Sequence, residues 1–82
     1  MESVYTVYVL QDEEGHFYKG MTNDLVRRLA EHRRGKTRTT RHMPNVRVVY
    51  TEQFQTREEA MRRERYLKTA AGRRFLWKKL GA

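Results

Sequence analysis

Tyr18-Lys19-Gly20-Met21-Thr22-Asn23-Asp24-Leu25-Val26-Arg27-Arg28-Leu29-Ala30-Glu31-His32 reads as the end of a strand, a glycine-containing bend, a capped helix start and one amphipathic helix. Gly20 leaves room for another group to approach the backbone closely, or for a positive φ. Asn23 or Asp24 can accept hydrogen bonds from the N–H groups that a helix start leaves free. From Leu25 onward, Leu25, Val26, Leu29 and Ala30 form an apolar stripe. Arg27 and Glu31 point away from it, while Arg28 and His32 lie one turn apart along its edge. An arginine at the rim of a core, beside a glycine bend and a tyrosine, is an odd choice for packing. It suits a phosphate, because a guanidinium stays charged and forms forked hydrogen bonds to phosphate oxygens.

Upstream, Val4-Tyr5-Thr6-Val7-Tyr8-Val9-Leu10 is rich in β-branched and aromatic residues and predicts a strand. Both of its faces are largely apolar, so the strand is expected at the centre of the sheet. Gln11 to Gly15 suits a hairpin turn, and His16 to Gly20 returns as a second strand. A tight hairpin brings Tyr8 and Tyr18 close across the pair. The helix from Leu25 runs to about Arg34, with Gly35 as its stop.

Lys36 to His42 is polar, basic and without periodicity, and predicts a loop. With Arg33 and Arg34 it is the densest cationic segment of the chain. Arg27, Arg33, Arg34, Lys36, Arg38 and Arg41 are candidate phosphate contacts, and the hydroxyls of Thr37, Thr39 and Thr40 also suit phosphate oxygens. A solvated connector is the plainer alternative. Eighteen Lys and Arg against ten Asp and Glu give a net charge of +8 over 82 residues, an excess that favours a polyanionic partner.

A third strand is expected over Val46 to Glu52, with Val46, Val48 and Tyr50 on one face and Phe54 as an anchor beyond it. Thr56-Arg57-Glu58-Glu59 matches a capping box. The helix it opens runs to about Ala70, with Ala60, Leu67 and Ala71 as its apolar stripe, flanked by Met61. Glu64 sits in the middle of that stripe, where a carboxylate is costly without a partner. Two partners are open: a buried ion pair, with Arg28 as the candidate cation, or a hard divalent cation that takes its other ligands from water and substrate phosphate. Gly72 is read as a helix break. A last helix over Arg73 to Leu80 follows, with Leu76, Trp77 and Leu80 expected to pack on the sheet; a base-stacking platform is the alternative for Trp77. The expected fold is one α+β domain, a small three-stranded antiparallel sheet flanked by helices in the order β-β-α-β-α-α.

With no cysteine, neither disulfides nor thiolate zinc can staple the chain. His16, His32 and His42 are too scattered for a metal finger. Met1-Glu2-Ser3 is not a basic leader and no apolar run is long enough to span a membrane, so a cytoplasmic protein is expected.

Tyr8, Tyr18, Gly20, Arg28, His32 and Glu64, in that order, make the sequence resemble the GIY-YIG nuclease superfamily, and in particular its small stand-alone bacterial members of UPF0213 type. Thr6-Val7-Tyr8 stands at the first signature and Tyr18-Lys19-Gly20 at the second. Thr6 replaces the family's glycine and Lys19 its usual apolar residue, and the Pro-x-Tyr-Asn segment of larger members is not present after Glu64. The resemblance implies an endonuclease of DNA repair or processing that uses Mg²⁺ or Mn²⁺ on Glu64. Arg28 would hold the phosphate, and Tyr8 would be the proton acceptor, with Tyr18 and His32 shaping that role. A free tyrosine ionises only near pH 10, so Arg28 and the cation would have to lower that value. DNA is the expected partner, with RNA left open, no membrane, and recruitment by another protein as one route to specificity. The alternatives are a nucleic-acid-binding module of the same fold with little or no turnover, and a protein-interaction domain.

Overall fold

The computed structural model describes residues 4–81, so Met1-Glu2-Ser3, read above as no leader, lies outside the described residues. The elements are β1 (Tyr5–Gln11), β2 (Phe17–Thr22), α1 (Leu25–Arg33), β3 (Arg47–Phe54), α2 (Arg57–Leu67) and α3 (Ala70–Leu80). The three strands form one antiparallel sheet in the order β2-β1-β3. The β1 sequence explains its central place: Val7, Tyr8, Val9 and Leu10 are all buried, which only a strand covered on both faces achieves. Val7 and Val9 pack with Ala60, Leu67 and Leu76 of α2 and α3. Tyr8 and Leu10 turn the other way, towards Leu25 and Leu29 of α1. The sheet is therefore the middle layer, with α1 on one side and α2 and α3 on the other. Among the described residues, no helix is long and apolar enough to cross a membrane.

Four details depart from the sequence reading. Val26 is 82 % exposed, so the inward stripe of α1 is Leu25, Arg28, Leu29 and His32, rotated from the one expected. In β3 the register slips against Val9 and Leu10, and Val9 faces Tyr50 while Leu10 faces Val48. The bulge puts Val49 and Tyr50 together on the α2–α3 side, whereas Val48 joins the α1 side. The third departure is the helix break, which lies at Lys68–Thr69 and not at Gly72: Thr69 caps α3 by accepting from the Gly72 N–H. Residue 72 lies inside the helix, and close packing explains its being glycine: a Cβ there would lie 2.0 Å from the Tyr66 carbonyl oxygen. Ala71 is exposed and leaves the stripe. Finally, Trp77 is 57 % exposed and does not cover the sheet, while Leu76 is fully buried.

One brace was not anticipated. Arg63 of α2 forks onto Glu52 of β3 at 2.8 and 3.0 Å. The Tyr50 hydroxyl also donates to Glu52, and the guanidinium lies 4.9 Å from the ring centres of Tyr66 and Phe75. Burial alone would raise the Glu52 carboxyl; the bonds from Arg63 and Tyr50 hold it below its usual range instead.

Candidate active site

Antiparallel pairing sets Tyr8 directly opposite Gly20, with both side-chain positions on the α1 face. That pairing explains the glycine. A Cβ on residue 20 would lie 2.6 Å from the Tyr8 hydroxyl oxygen and 3.0 Å from Cε1 of Tyr18. Gly20 does not have a positive φ, so of the two expected roles it fills the close approach. The Tyr8 and Tyr18 ring centres are 6.2 Å apart, and Tyr18 lies edge-on to His32 at 4.9 Å.

Helix α1 delivers the rest. Asp24, not Asn23, is its cap, accepting from the Arg27 N–H at 3.1 Å. Arg28 and His32, one turn apart, then both reach Tyr8. The Tyr8 hydroxyl lies 2.9 Å from His32 Nε2 and accepts from Arg28 Nε at 3.4 Å. His32 is 2 % exposed, a core residue and not the edge residue expected. Its Nδ1 lies 2.6 Å from the buried Thr40 hydroxyl. A neutral imidazole can donate from one nitrogen and accept at the other. The two hydroxyls therefore satisfy the ring completely.

Two expectations are overturned here. Arg28 does not pair with Glu64; its Nη1 donates to Glu31 at 3.0 Å, and Glu64 takes Lys68 at 3.2 Å. Thr40 is spent on His32, and the Thr37 hydroxyl is buried, so neither faces a phosphate. Thr40 had no signal in the sequence beyond its place in a threonine-rich loop, because only the tertiary fold brings residue 40 to residue 32.

The electrostatics follow from burial. Tyr8 is pushed up to about 12: burial raises it, and the Arg28 hydrogen bond offsets only part of that. The lowering expected from nearby cations does not occur with Arg28 alone. Burial, and then the Arg28 charge, hold His32 below its ordinary value, so the ring is neutral at pH 7. Bonds to Tyr8 and then Glu31 raise Arg28 further, and it stays cationic.

Glu64 belongs to the other layer. It lies between Ala60 and Leu67 on the sheet-facing stripe of α2, and its side chain is 21 % exposed. Among the described residues it makes no hydrogen bond to the Tyr8 group. Lys68 occupies Oε1 alone, which leaves the second oxygen available, and one carboxylate with one available oxygen fits a hard divalent ion. A second acidic group, Asp12, Glu14 and His16, closes the β1–β2 hairpin. Its buried member Asp12 is committed to the Glu14 and His16 N–H groups and the His16 ring, so it has the bonding of a turn.

Where the end of β2 and the starts of α1 and α2 meet, an open cleft of about 470 Å³ gathers the guanidinium-bearing Arg27, Arg28 and Arg57 around Thr22, Asn23 and Glu31. Arg57 was not singled out from the sequence, where it is one of many arginines. Arg27, Arg33, Arg34, Lys36, Arg38 and Arg41 are all exposed, and none enters an ion pair among the described residues.

Comparison with known proteins agrees with this architecture. Residues 4–79 match the GIY-YIG catalytic domain. A UPF0213 protein of Halobacterium salinarum is 41 % identical over 66 residues, 79 % of this chain and 86 % of that one. One from Streptococcus agalactiae is 41 % identical over 63 residues, 76 % of this chain and 72 % of that one. The solution NMR structure of a UPF0213 protein from Bacillus halodurans superposes with a TM-score of 0.59 at 34 % identity, covering 96 % of this chain and 87 % of that one. With Tyr8, Gly20 and Arg28 gathered at one place in the three-stranded sheet and the match running almost end to end, the chain belongs to the GIY-YIG catalytic domain family, a nuclease superfamily.

Proposed function

We propose that this protein is a divalent-metal-dependent endonuclease that hydrolyses DNA phosphodiester bonds in repair or processing, with structure-selective or weak sequence preference. The observation that carries the reading is the hydrogen-bonded chain Arg28–Tyr8–His32–Thr40 beneath Gly20. Packing alone does not need a cation, a phenol and a neutral imidazole in series.

The raised pKa of Tyr8 shapes the proposal. A phenol near 12 is not ionised in advance at neutral pH, so Tyr8 acts as a relay rather than as a standing base. As the attacking water gives its proton to the Tyr8 oxygen, Tyr8 passes its own to His32 Nε2. The imidazolium that forms keeps its Nδ1–H on Thr40. The hydroxide forms the new bond to phosphorus, and the bond to the leaving oxygen breaks. Arg28 exchanges Glu31 for a non-bridging phosphate oxygen and keeps its Nε on Tyr8, so charge that builds on the phosphate meets a fixed cation. Tyr18, edge-on to His32, holds the ring in place. Glu64 would hold the divalent ion, which when bound neutralises phosphate charge and stabilises the leaving oxygen. Arg27, Arg33, Arg34, Lys36, Arg38 and Arg41 track the backbone.

The second reading, a binding module with little turnover, is favoured by the pairing of Arg28 with Glu31 and of Glu64 with Lys68. Labelled single-stranded, duplex, flap and branched DNA, incubated with Mg²⁺ or Mn²⁺ and with EDTA, separates the two. The endonuclease reading expects products with metal only. Binding without products on every substrate would favour the module.

A further inference from the structure

The outer face of α3 is not used by the site described above. Arg73, Arg74, Trp77 and Lys78 fall on one exposed arc of this helix, and Gly72 and Leu76 fall on the buried one. The four line an open groove of about 690 Å³ with Ala71 and Phe75. Helix α3 contains no acidic residue. An exposed indole flanked by three cations, with no carboxylate on the same helix, is unusual for a solvated face. Charge would keep such a face soluble without the indole.

The strip is continuous with the candidate metal ligand. Lys68 holds Glu64 at the end of α2, and Arg73 stands in the first turn of α3. Lys19 of β2 joins them: its ammonium is held below its usual value by burial and by the charges of Arg73 and Lys68. Cations therefore run from the Glu64 carboxylate to Trp77.

We propose that this face binds an unpaired nucleic-acid strand, with a base stacked on Trp77 and the neighbouring phosphates held by Arg73, Arg74 and Lys78. A duplex hides its base faces and gives Trp77 nothing to stack on. An acidic peptide would neutralise the arginines and lysine but has no use for a flat ring in their midst. Every nucleobase offers a π-face, so the contact is tolerant of sequence. The proposal rests on the nucleic-acid reading above and adds a substrate class to it: DNA with an unpaired arm beside the cut.

Trp77 is the sole tryptophan, so its fluorescence reports this face directly. The experiment titrates the whole chain, in EDTA, with a twelve-nucleotide oligothymidylate, a blunt duplex and polyglutamate. The expected result is saturable quenching by oligothymidylate alone. Labelled-oligothymidylate anisotropy should show Trp77→Ala binding roughly 5- to 150-fold more weakly, with Trp77→Phe recovering part of the loss. Replacing Arg73 and Arg74 with Ala should reduce the salt-dependence slope by about 1.4, at about 0.7 per phosphate contact. The absence of quenching by oligothymidylate would overturn the proposal. So would polyglutamate quenching equally while Trp77→Ala binds unchanged, which would mark an acidic-peptide surface. If quenching fails while metal-dependent cleavage persists, this proposal alone falls; if cleavage fails while quenching persists, only the endonuclease reading falls.

Discussion

The hydroxyl of Tyr8 and Nε2 of His32 stand 2.9 Å apart, both side chains almost wholly buried. Burial raises the phenol and lowers the imidazole, so each is held in the neutral form that a proton relay starts from. Arg28, more than a third exposed, is the open edge of the group, beside which the attacking water of the relay would reach the Tyr8 oxygen.

Gly20→Ala tests the fit beneath this pair. The added methyl would meet the Tyr8 oxygen at 2.6 Å and Cζ at 2.7 Å, and the ring is buried and held by two hydrogen bonds. Overpacking of this kind costs about 1–3 kcal/mol. Chemical denaturation should show that loss, and any cleavage should fall about a hundredfold because Tyr8 is displaced from His32. Unchanged stability would mean that the tyrosine moves freely.

The pH dependence follows from His32. Its folded pKa lies below the ordinary 6.5, so between the two values the unfolded chain binds a proton that the folded chain does not. Stability is complete above pH 6.5 and is lost as pH falls through the folded value. Thermal melts between pH 7.5 and 5 should decline below 6.5 in wild type and flatten in His32→Gln. Tyr8 behaves in the opposite sense. Its contribution is complete below pH 10 and lost as pH rises towards about 12; ultraviolet titration should lose a late-ionising tyrosine in Tyr8→Phe, while Tyr50, also raised by burial and by Glu52, still ionises late.

Glu31 occupies the end of Arg28 that the mechanism assigns to phosphate. Glu31→Gln should tighten DNA binding by up to about fivefold, the scale of an exposed pair, and leave the melting temperature within error. Weaker binding would show that Glu31 orients Arg28 rather than competing for it.

Gly72→Ala should be the most damaging conservative change in the chain. The methyl would lie 2.0 Å from the Tyr66 carbonyl oxygen and 2.5 Å from the Leu67 Cα, both backbone atoms that cannot step aside. A loss of about 3 kcal/mol or more is expected on denaturation, through separation of α3 from α2. Ala71→Gly, on the exposed side, is the control and should cost about 1 kcal/mol or less.

The elements themselves were legible because their signals are local. The doubly apolar run at Val4 to Leu10 marks a central strand, and the Thr56–Glu59 box marks the start of α2 where it occurs, with Thr56 accepting from the Glu59 N–H at 3.2 Å. What could not be read depends on contacts between distant segments. The stripe of α1 turned towards Tyr8, because Arg28 and His32 find partners there that Val26 could not, and this reverses the ranking that hydrophobicity alone gives. Gly72 resembles a helix breaker until α2 is seen against it. Tyr18, Gly20 and Arg28 were identified as candidates from sequence; Thr40 was read as a phosphate contact and not as the partner of His32, and Glu31 and Arg57 were not singled out, since each takes its place only through a partner supplied by the fold.

The most direct test of the account compares wild type with Glu64→Gln on labelled DNA in Mg²⁺, measuring cleavage and binding in the same samples. The substitution keeps the shape of the side chain and removes the charge that would hold the ion. The account predicts that cleavage is lost, by a hundredfold or more, while DNA affinity stays within about twofold. Cleavage that survives Glu64→Gln would contradict it and place the metal, and with it the chemistry, elsewhere in the molecule.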